Sequence, residues 1–204
     1  AQADQLVREL KKRIVKAAGD RHVVAFASGG VDSTVATLLA TQCLPKEKLH
    51  IFYIDNGFMR REDDAVITML QSIGVPVKAI NVVKDFASAQ VLIDGKLTDP
   101  LSRVTDPETK RKIIGQKFVE IRDDLTRSLN LKLEETILLQ GTNAADRIES
   151  GHSKGGQVTD VIKTHHNQVQ GIKDLQAAGL LVEPLDELFK DEIRRLGEHL
   201  GLPE

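Results

Sequence analysis

Residues Ser28-Gly29-Gly30-Val31-Asp32-Ser33 constrain this chain more than any other segment. They follow the apolar run His22–Ala27 and open the helix-like stretch Val31–Leu44. A buried strand, a turn of small residues and a helix start bring N–H groups and the positive end of a helix dipole to one point, which suits phosphate. Glycines let the backbone approach the ligand, and two serine hydroxyls flank the turn. The loop has no lysine, unlike the G-x-x-x-x-G-K-[ST] phosphate loop. Asp32 stands there instead, and a carboxylate beside phosphate needs a bound cation. The combination reads as a pyrophosphate loop with magnesium. A tight turn without ligand has the same composition, so the rest of the chain must separate the two.

The segments around the loop define the fold class. Leu6, Leu10, Ile14 and Val15 give an amphipathic first helix ending near Gly19. Val23–Ala27 and Leu49–Ile54 read as buried strands and Val77–Val82 as a third strand, separated by helices over Val31–Leu44 and Glu62–Ile73. This alternation predicts an α/β fold, a doubly wound and mainly parallel sheet with right-handed crossovers. Ligands of such sheets bind beyond the carboxyl ends of the strands, where Ser28–Ser33 and Asp55-Asn56-Gly57 both fall. Asp94–Asp106 is polar and turn-rich, and Asp106-Pro107 caps a helix over Glu108–Asn130. Thr136–Leu139 reads as a strand, with Gln140-Gly141-Thr142 at its end. Asn143 to Gln170 is a long polar loop, followed by a strand at Leu180–Val182 and a helix over Glu187–Leu200.

Bulk properties narrow the function classes. The 204 residues fit a single domain, and 41% hydrophobic content suffices for a core. A net charge of −2 gives no basic footprint for nucleic acid. No run reaches the roughly 18 apolar residues of a membrane helix, and no signal peptide is present, so the expected location is cytoplasmic. The single cysteine, Cys43, rules out an internal disulfide framework; it reads as a small core residue or, alternatively, a reactive thiol. The chain begins at Ala1, as a processed or excised piece would.

Read in order, several further motifs join the loop. They are Asp55-Asn56-Gly57-Phe58-Met59-Arg60, Lys110-Arg111-Lys112-Ile113-Ile114-Gly115, Gln140-Gly141-Thr142, and Asp146 with Ile148-Glu149-Ser150. Ile162-Lys163-Thr164-His165-His166-Asn167, Val182-Glu183-Pro184-Leu185 and Lys190-Asp191-Glu192 complete the series. The set resembles the ATP-pyrophosphatase (PP-loop) domain of guanosine monophosphate synthetase, from about His22 to Glu204. The loop alone is shared across the pyrophosphatase-loop superfamily; the Lys-Arg-Lys-Ile-Ile-Gly and Ile-Lys-Thr-His-His-Asn segments are much more specific.

The resemblance implies a ligase of purine biosynthesis that uses ATP and Mg2+ to adenylate xanthosine monophosphate, releasing pyrophosphate, before ammonia displaces AMP. It implies nucleotide contacts from Ser28, Gly29, Gly30, Val31, Asp32, Ser33, Ile54, Gln140, Gly141, Thr142, Arg111, Asn167 and Lys190, with Asp32 on the metal. It places Asp146, Glu149, Lys163, His165 and His166 in the catalytic machinery, within a lid over residues 143–170. A glutamine amidotransferase supplies ammonia, and dimerisation runs through a carboxyl-terminal domain; this chain carries neither. With no Gly-x-Cys-x-Gly element or Cys/His pair it cannot hydrolyse glutamine, and by itself it is expected to bind ATP without efficient synthesis.

Other readings of these residues stand beside the resemblance. Lys163–Asn167 also admits a solvated loop or, through its adjacent histidines, a metal site, although those histidines project in different directions and no Cys or third His lies at ligand spacing. Asp146 and Glu149 have the spacing of a capping or solvated pair. Lys110–Lys112 oppose a helix dipole early in a helix, which favours a phosphate contact over a solvated face. Asn143-Ala144-Ala145 departs from the bulky residue and proline usual before the aspartate, predicting a more flexible lid. The rival functions are a non-catalytic nucleotide-binding or partner-docking module, and another amidating relative such as an NAD synthetase.

Overall fold

The computed structural model describes residues 2–27, 30–55, 61–72, 74–75, 77–149 and 170–202. Its framework is a parallel sheet of five strands: β1 (His22–Ala27), β2 (Leu49–Asp55), β3 (Val77–Asn81), β6 (Thr136–Leu139) and β7 (Leu181–Val182). They lie in the order β3-β2-β1-β6-β7. The chain builds outward from β1 through β2 to β3, then returns to the other side of β1 for β6 and β7. Register is set by pairs such as Ala25↔Ile51, Val23↔Ile137 and Leu139↔Val182. The doubly wound, parallel architecture expected from the alternating pattern is therefore present.

Helix α1 (Gln2–Ala18) buries Val7, Leu10, Ile14 and Ala18, a spacing of three or four residues that makes one apolar stripe. Gly19, at φ +56°, ends it. Helix α2 (Val31–Cys43) behaves differently. Every residue from Asp32 to Ala40 is buried, because α2 lies between the sheet, α1 and the last helix, α8 (Lys190–His199). An unbroken apolar surface such as Val35-Ala36-Thr37-Leu38-Leu39-Ala40 suits that central position. Helices α5 (Pro107–Ser128) and α7 (Gln170–Ala177) pack together elsewhere, and Phe118 of α5 meets Phe26 of β1 edge-on.

The Arg13 guanidinium clasps the buried Asp186 carboxylate at 2.7 and 3.0 Å, tying α1 to the turn after β7. His199 and Asp4 meet at 2.8 Å, joining α8 to the same helix.

Several boundaries sharpen the sequence reading. Asp106 accepts the Thr109 N–H at 3.0 Å with Pro107 at the first helical position, so α5 is capped as the sequence predicts. The polar stretch after β3 holds a short helix α4 (Val83–Ala87) and a hairpin of β4 (Leu92–Ile93) and β5 (Lys96–Leu97). Asp94 and Gly95, at φ +50° and +78°, form its turn, as primed turns require. Helix α3 (Arg61–Ser72) precedes β3. The expected loop after Asn143 instead begins with α6 (Ala144–Glu149). The last helix starts at Lys190 rather than Glu187, because Leu185–Leu188 closes a turn and Glu192 folds back onto the Phe189 N–H at 3.2 Å. Cys43 is half-buried, and burial pushes its thiol up to about 11, as suits a packing residue.

At the amino-terminal edge of the sheet, His22 Nδ1 and His50 Nε2 lie 2.8 Å apart with stacked rings. Burial lowers both pKa values, His22 further through Lys48 and His50 further through His22. The fold thus favours neutral rings, while the unfolded chain takes up protons near pH 6.5. Stability contributed here is complete above about pH 6.5 and declines as pH falls through the lowered folded values. Thermal melts from pH 7.5 to 5 should show that decline in the wild type and a shallower one in His50→Gln; identical slopes would remove the pair from the pH response.

Candidate nucleotide site

In an open parallel sheet the crevice lies where strand order reverses, here between β1 and β6. Two chain segments meet at its carboxyl end. After β1 comes the start of α2, with Gly30 as N-cap in an extended conformation (φ −76°, ψ 150°). Its carbonyl accepts the Thr34 N–H at 3.2 Å and the hydroxyls of Ser33 and Thr34 at 3.2 and 2.9 Å. Hydroxyl and amide donors thus converge on one carbonyl and hold the first turn in place. Such a turn leaves N–H groups without intrahelical acceptors and carries the positive end of the dipole.

The second segment, Gln140–Asn143, leaves β6. Gly141 passes so close to α2 that a Cβ there would lie 2.6 Å from Ser33 Cα and N and 2.8 Å from the Asp32 carbonyl carbon. Only a residue without a side chain fits against backbone at that distance.

Asp32 is 2% exposed on this contact. Its Oδ2 accepts from Asn143 Nδ2 at 2.7 Å. Its Oδ1 is buried and has no hydrogen-bond partner among the described residues. Burying a carboxylate with half its acceptors unused is unfavourable unless something else supplies positive charge. Among the described residues no three His, Cys, Asp or Glu side chains gather as a metal cluster. A single carboxylate suits Mg2+, which keeps several waters and takes its other ligands from substrate phosphates. Asp32 thus fits the magnesium role that the sequence resemblance implies.

Asn143 also caps α6. Its Oδ1 accepts the Asp146 N–H at 2.8 Å, and Asp146 Oδ2 accepts the Asn143 N–H at 3.1 Å. This reciprocal pair is a capping box with Asn and Asp in the two roles. The neighbouring Ala144 N–H reaches the Leu188 carbonyl at 2.9 Å, fastening the turn to the segment before α8. The Asn143-Ala144-Ala145 departure therefore opens a capped helix rather than a looser loop. Sequence reasoning passed over Asn143 as a contact residue, although Asn followed three positions later by Asp is a capping signal.

The other sequence-nominated residues distribute as follows. Val31 is half-buried at the first position of α2, and Ser33 is buried one turn in. Gln140 is buried, with neither its side-chain oxygen nor nitrogen partnered among the described residues, and Thr142 is also buried. Ile54 lies in the carboxyl half of β2, in register with Ile80. Helix α5 precedes β6 and runs back against the strand direction, as a crossover helix must. Its early residue Arg111, half-buried and engaged in an interaction, is thereby carried toward the carboxyl end of the sheet. Lys190 is exposed at the start of α8, two residues beyond the Leu188 anchor. Glu149 closes α6. Ser28, Gly29, Lys163, His165, His166 and Asn167 lie outside the described residues.

Gly141→Ala tests the close approach directly. Overpacking against backbone costs about 1–3 kcal/mol, and relief requires moving either the β6 terminus or the α2 start. The variant should melt several degrees below wild type and bind ATP more weakly; wild-type values for both would show that the contact yields freely.

Comparison with known proteins places this geometry. The family model described as NAD synthase matches residues 3–104. A probable GMP synthase (glutamine-hydrolyzing) of Caenorhabditis elegans is 41% identical over 91% of this chain and 25% of its own length. The GMP synthase (glutamine-hydrolyzing) of Bdellovibrio bacteriovorus is 42% identical over 100% of this chain and 38% of its own length. The chain thus spans about a quarter to two-fifths of these relatives. Among solved structures, an NH3-dependent NAD synthetase from Campylobacter jejuni superposes with TM-score 0.59 at 14% identity, covering 98% of this chain and 72% of that one. A glutamine-dependent NAD+ synthetase from Acinetobacter baumannii, in complex with ADP, gives 0.62 at 11%, covering 98% and 33%. These two establish a shared fold. With a five-stranded parallel sheet, a small-residue turn opening α2 and a model match over half its length, the chain belongs to the NAD synthase family of PP-loop proteins, and its similar curated relatives are GMP synthases.

Proposed function

We propose that this chain is the ATP-pyrophosphatase part of a GMP synthase. The observation that carries the reading is about 40% identity to GMP synthases across nine-tenths or more of the chain. The site supports its nucleotide half. The C2 oxygen of xanthosine monophosphate attacks the α-phosphorus of ATP, the α–β phosphoanhydride bond breaks, and pyrophosphate leaves. Ammonia then adds at C2, and AMP departs with the former C2 oxygen. For the first step this chain must hold the β- and γ-phosphates and leave the α-phosphate open to attack. The first turn of α2 offers N–H groups and the Ser33 hydroxyl as anchors. Mg2+, when bound, neutralises phosphate charge beside Asp32. Arg111, Lys163 and Lys190 are the cations assigned to the charge that the lysine-free loop leaves unbalanced.

Asp146, Glu149, His165 and His166 are assigned to orienting the acceptor and shielding the adenylate from water within the 143–170 segment. The remaining assignments follow from the same reading: ammonia from a glutamine amidotransferase, dimerisation through a further domain, and a cytoplasmic location. Among the described residues no helix is long and apolar enough to cross a membrane.

A second reading, amidation of a deamido-NAD-type acceptor, is favoured by the family match over residues 3–104. One assay separates them. Pyrophosphate released from ATP and Mg2+ by the complete protein should require xanthosine monophosphate, and Asp32→Asn should lower the rate about 100-fold or more. Release with the deamidated dinucleotide instead, and none with xanthosine monophosphate, would transfer the chain to the second reading.

A further inference from the structure

The contact between Asp32 and Asn143 bridges 111 residues of sequence and lies wholly inside the protein. Three polar groups of Asn143 are engaged: Nδ2 donates to Asp32, Oδ1 accepts from the Asp146 N–H, and its backbone N–H donates back to the Asp146 carboxylate. We infer that Asn143 is a positioning residue, which holds Asp32 by one carboxylate oxygen and leaves the other for the nucleotide's divalent cation. This rests on the proposed Mg·ATP site and adds what fixes its carboxylate.

Three features carry it. The amide is 3% exposed, so the bond competes little with water. The Asn143 rotamer is locked at its far end, because rotating the amide to release Asp32 would also break the α6 cap. Finally, among the described residues Asp32 Oδ1 has no partner while Oδ2 is satisfied, an asymmetry that one fixed donor creates. Through Ala144 and Leu188 the same turn is anchored to the segment before α8, so the donor sits on framework rather than on a free loop.

The test uses Asn143→Ser and Asn143→Asp in the complete protein. Both side chains can still cap α6, but serine is too short to reach Asp32 and aspartate has no amide proton to give. ATP affinity is measured by calorimetry across a Mg2+ titration and again in excess chelator, alongside thermal melts. Positioning predicts that the half-saturating Mg2+ concentration rises about tenfold in both variants, as expected for loss of a hydrogen bond to a charged group. Metal-free ATP affinity should hardly change. A parallel loss with and without Mg2+ would mean a structural role only and overturn the inference. So would an unchanged Mg2+ midpoint, or a wild type whose ATP affinity ignores Mg2+. The predicted Mg2+ shift together with no pyrophosphate from xanthosine monophosphate would uphold it, while removing the proposed acceptor.

Discussion

A carboxylate buried at the seam between two halves of a sheet organises much of this molecule. Asp32 belongs to the half built outward from β1, and Asn143 to the half that returns through β6. Neither side chain would be tolerated there alone: the carboxylate needs a donor, and the amide needs acceptors. Their bond therefore requires that β1 and β6 be adjacent and in register, as His22↔Thr136 through Ala25↔Leu139 make them. The Gly141 approach imposes the same demand through sterics. Polar satisfaction and close packing agree on one arrangement, which is what gives a fold a single solution.

The two halves divide the labour of the site. Helix α2, buried along its length, cannot shift without disturbing α1, α8 and the sheet. It supplies the fixed elements: dipole, N–H groups and carboxylate. The second half supplies what faces them, from Gln140 to the first turn of α6. Under the proposed function such rigid anchoring suits a departing pyrophosphate, which gains from donors already in place.

Much of the framework was legible in the sequence because parallel sheets write themselves plainly. Strands buried on both faces appear as short apolar runs, so β1, β2 and β6 stand out; the edge strand β3, with Lys78 and Ala79 exposed, shows less of the pattern, and Asp106-Pro107 marks α5 clearly. The loop Ser28–Ser33 was legible as a strand-to-helix turn of small residues, but its ligand was not, since a tight turn without ligand has the same composition. Less legible were contacts made across the chain. Asn143 looked like an alteration because only its neighbours in sequence were in view; its partner is Asp32, one strand away in space. Gly141 gave no sign of which backbone it would touch. Short elements such as α6 escaped for a different reason: six residues carry too little periodicity to register, and the cap that starts the helix was the better signal.

The clasp between Arg13 and Asp186, with the His199–Asp4 contact beside it, bears on how the chain reaches this state. Both tie the first helix to the last fifth of the sequence, across separations of 173 and 195 residues. Loops that long close late, after the entropy of most of the chain has been spent. Until the turn after β7 forms, the Val7–Leu10–Ile14 stripe of α1 has only the part of its cover that α2 supplies.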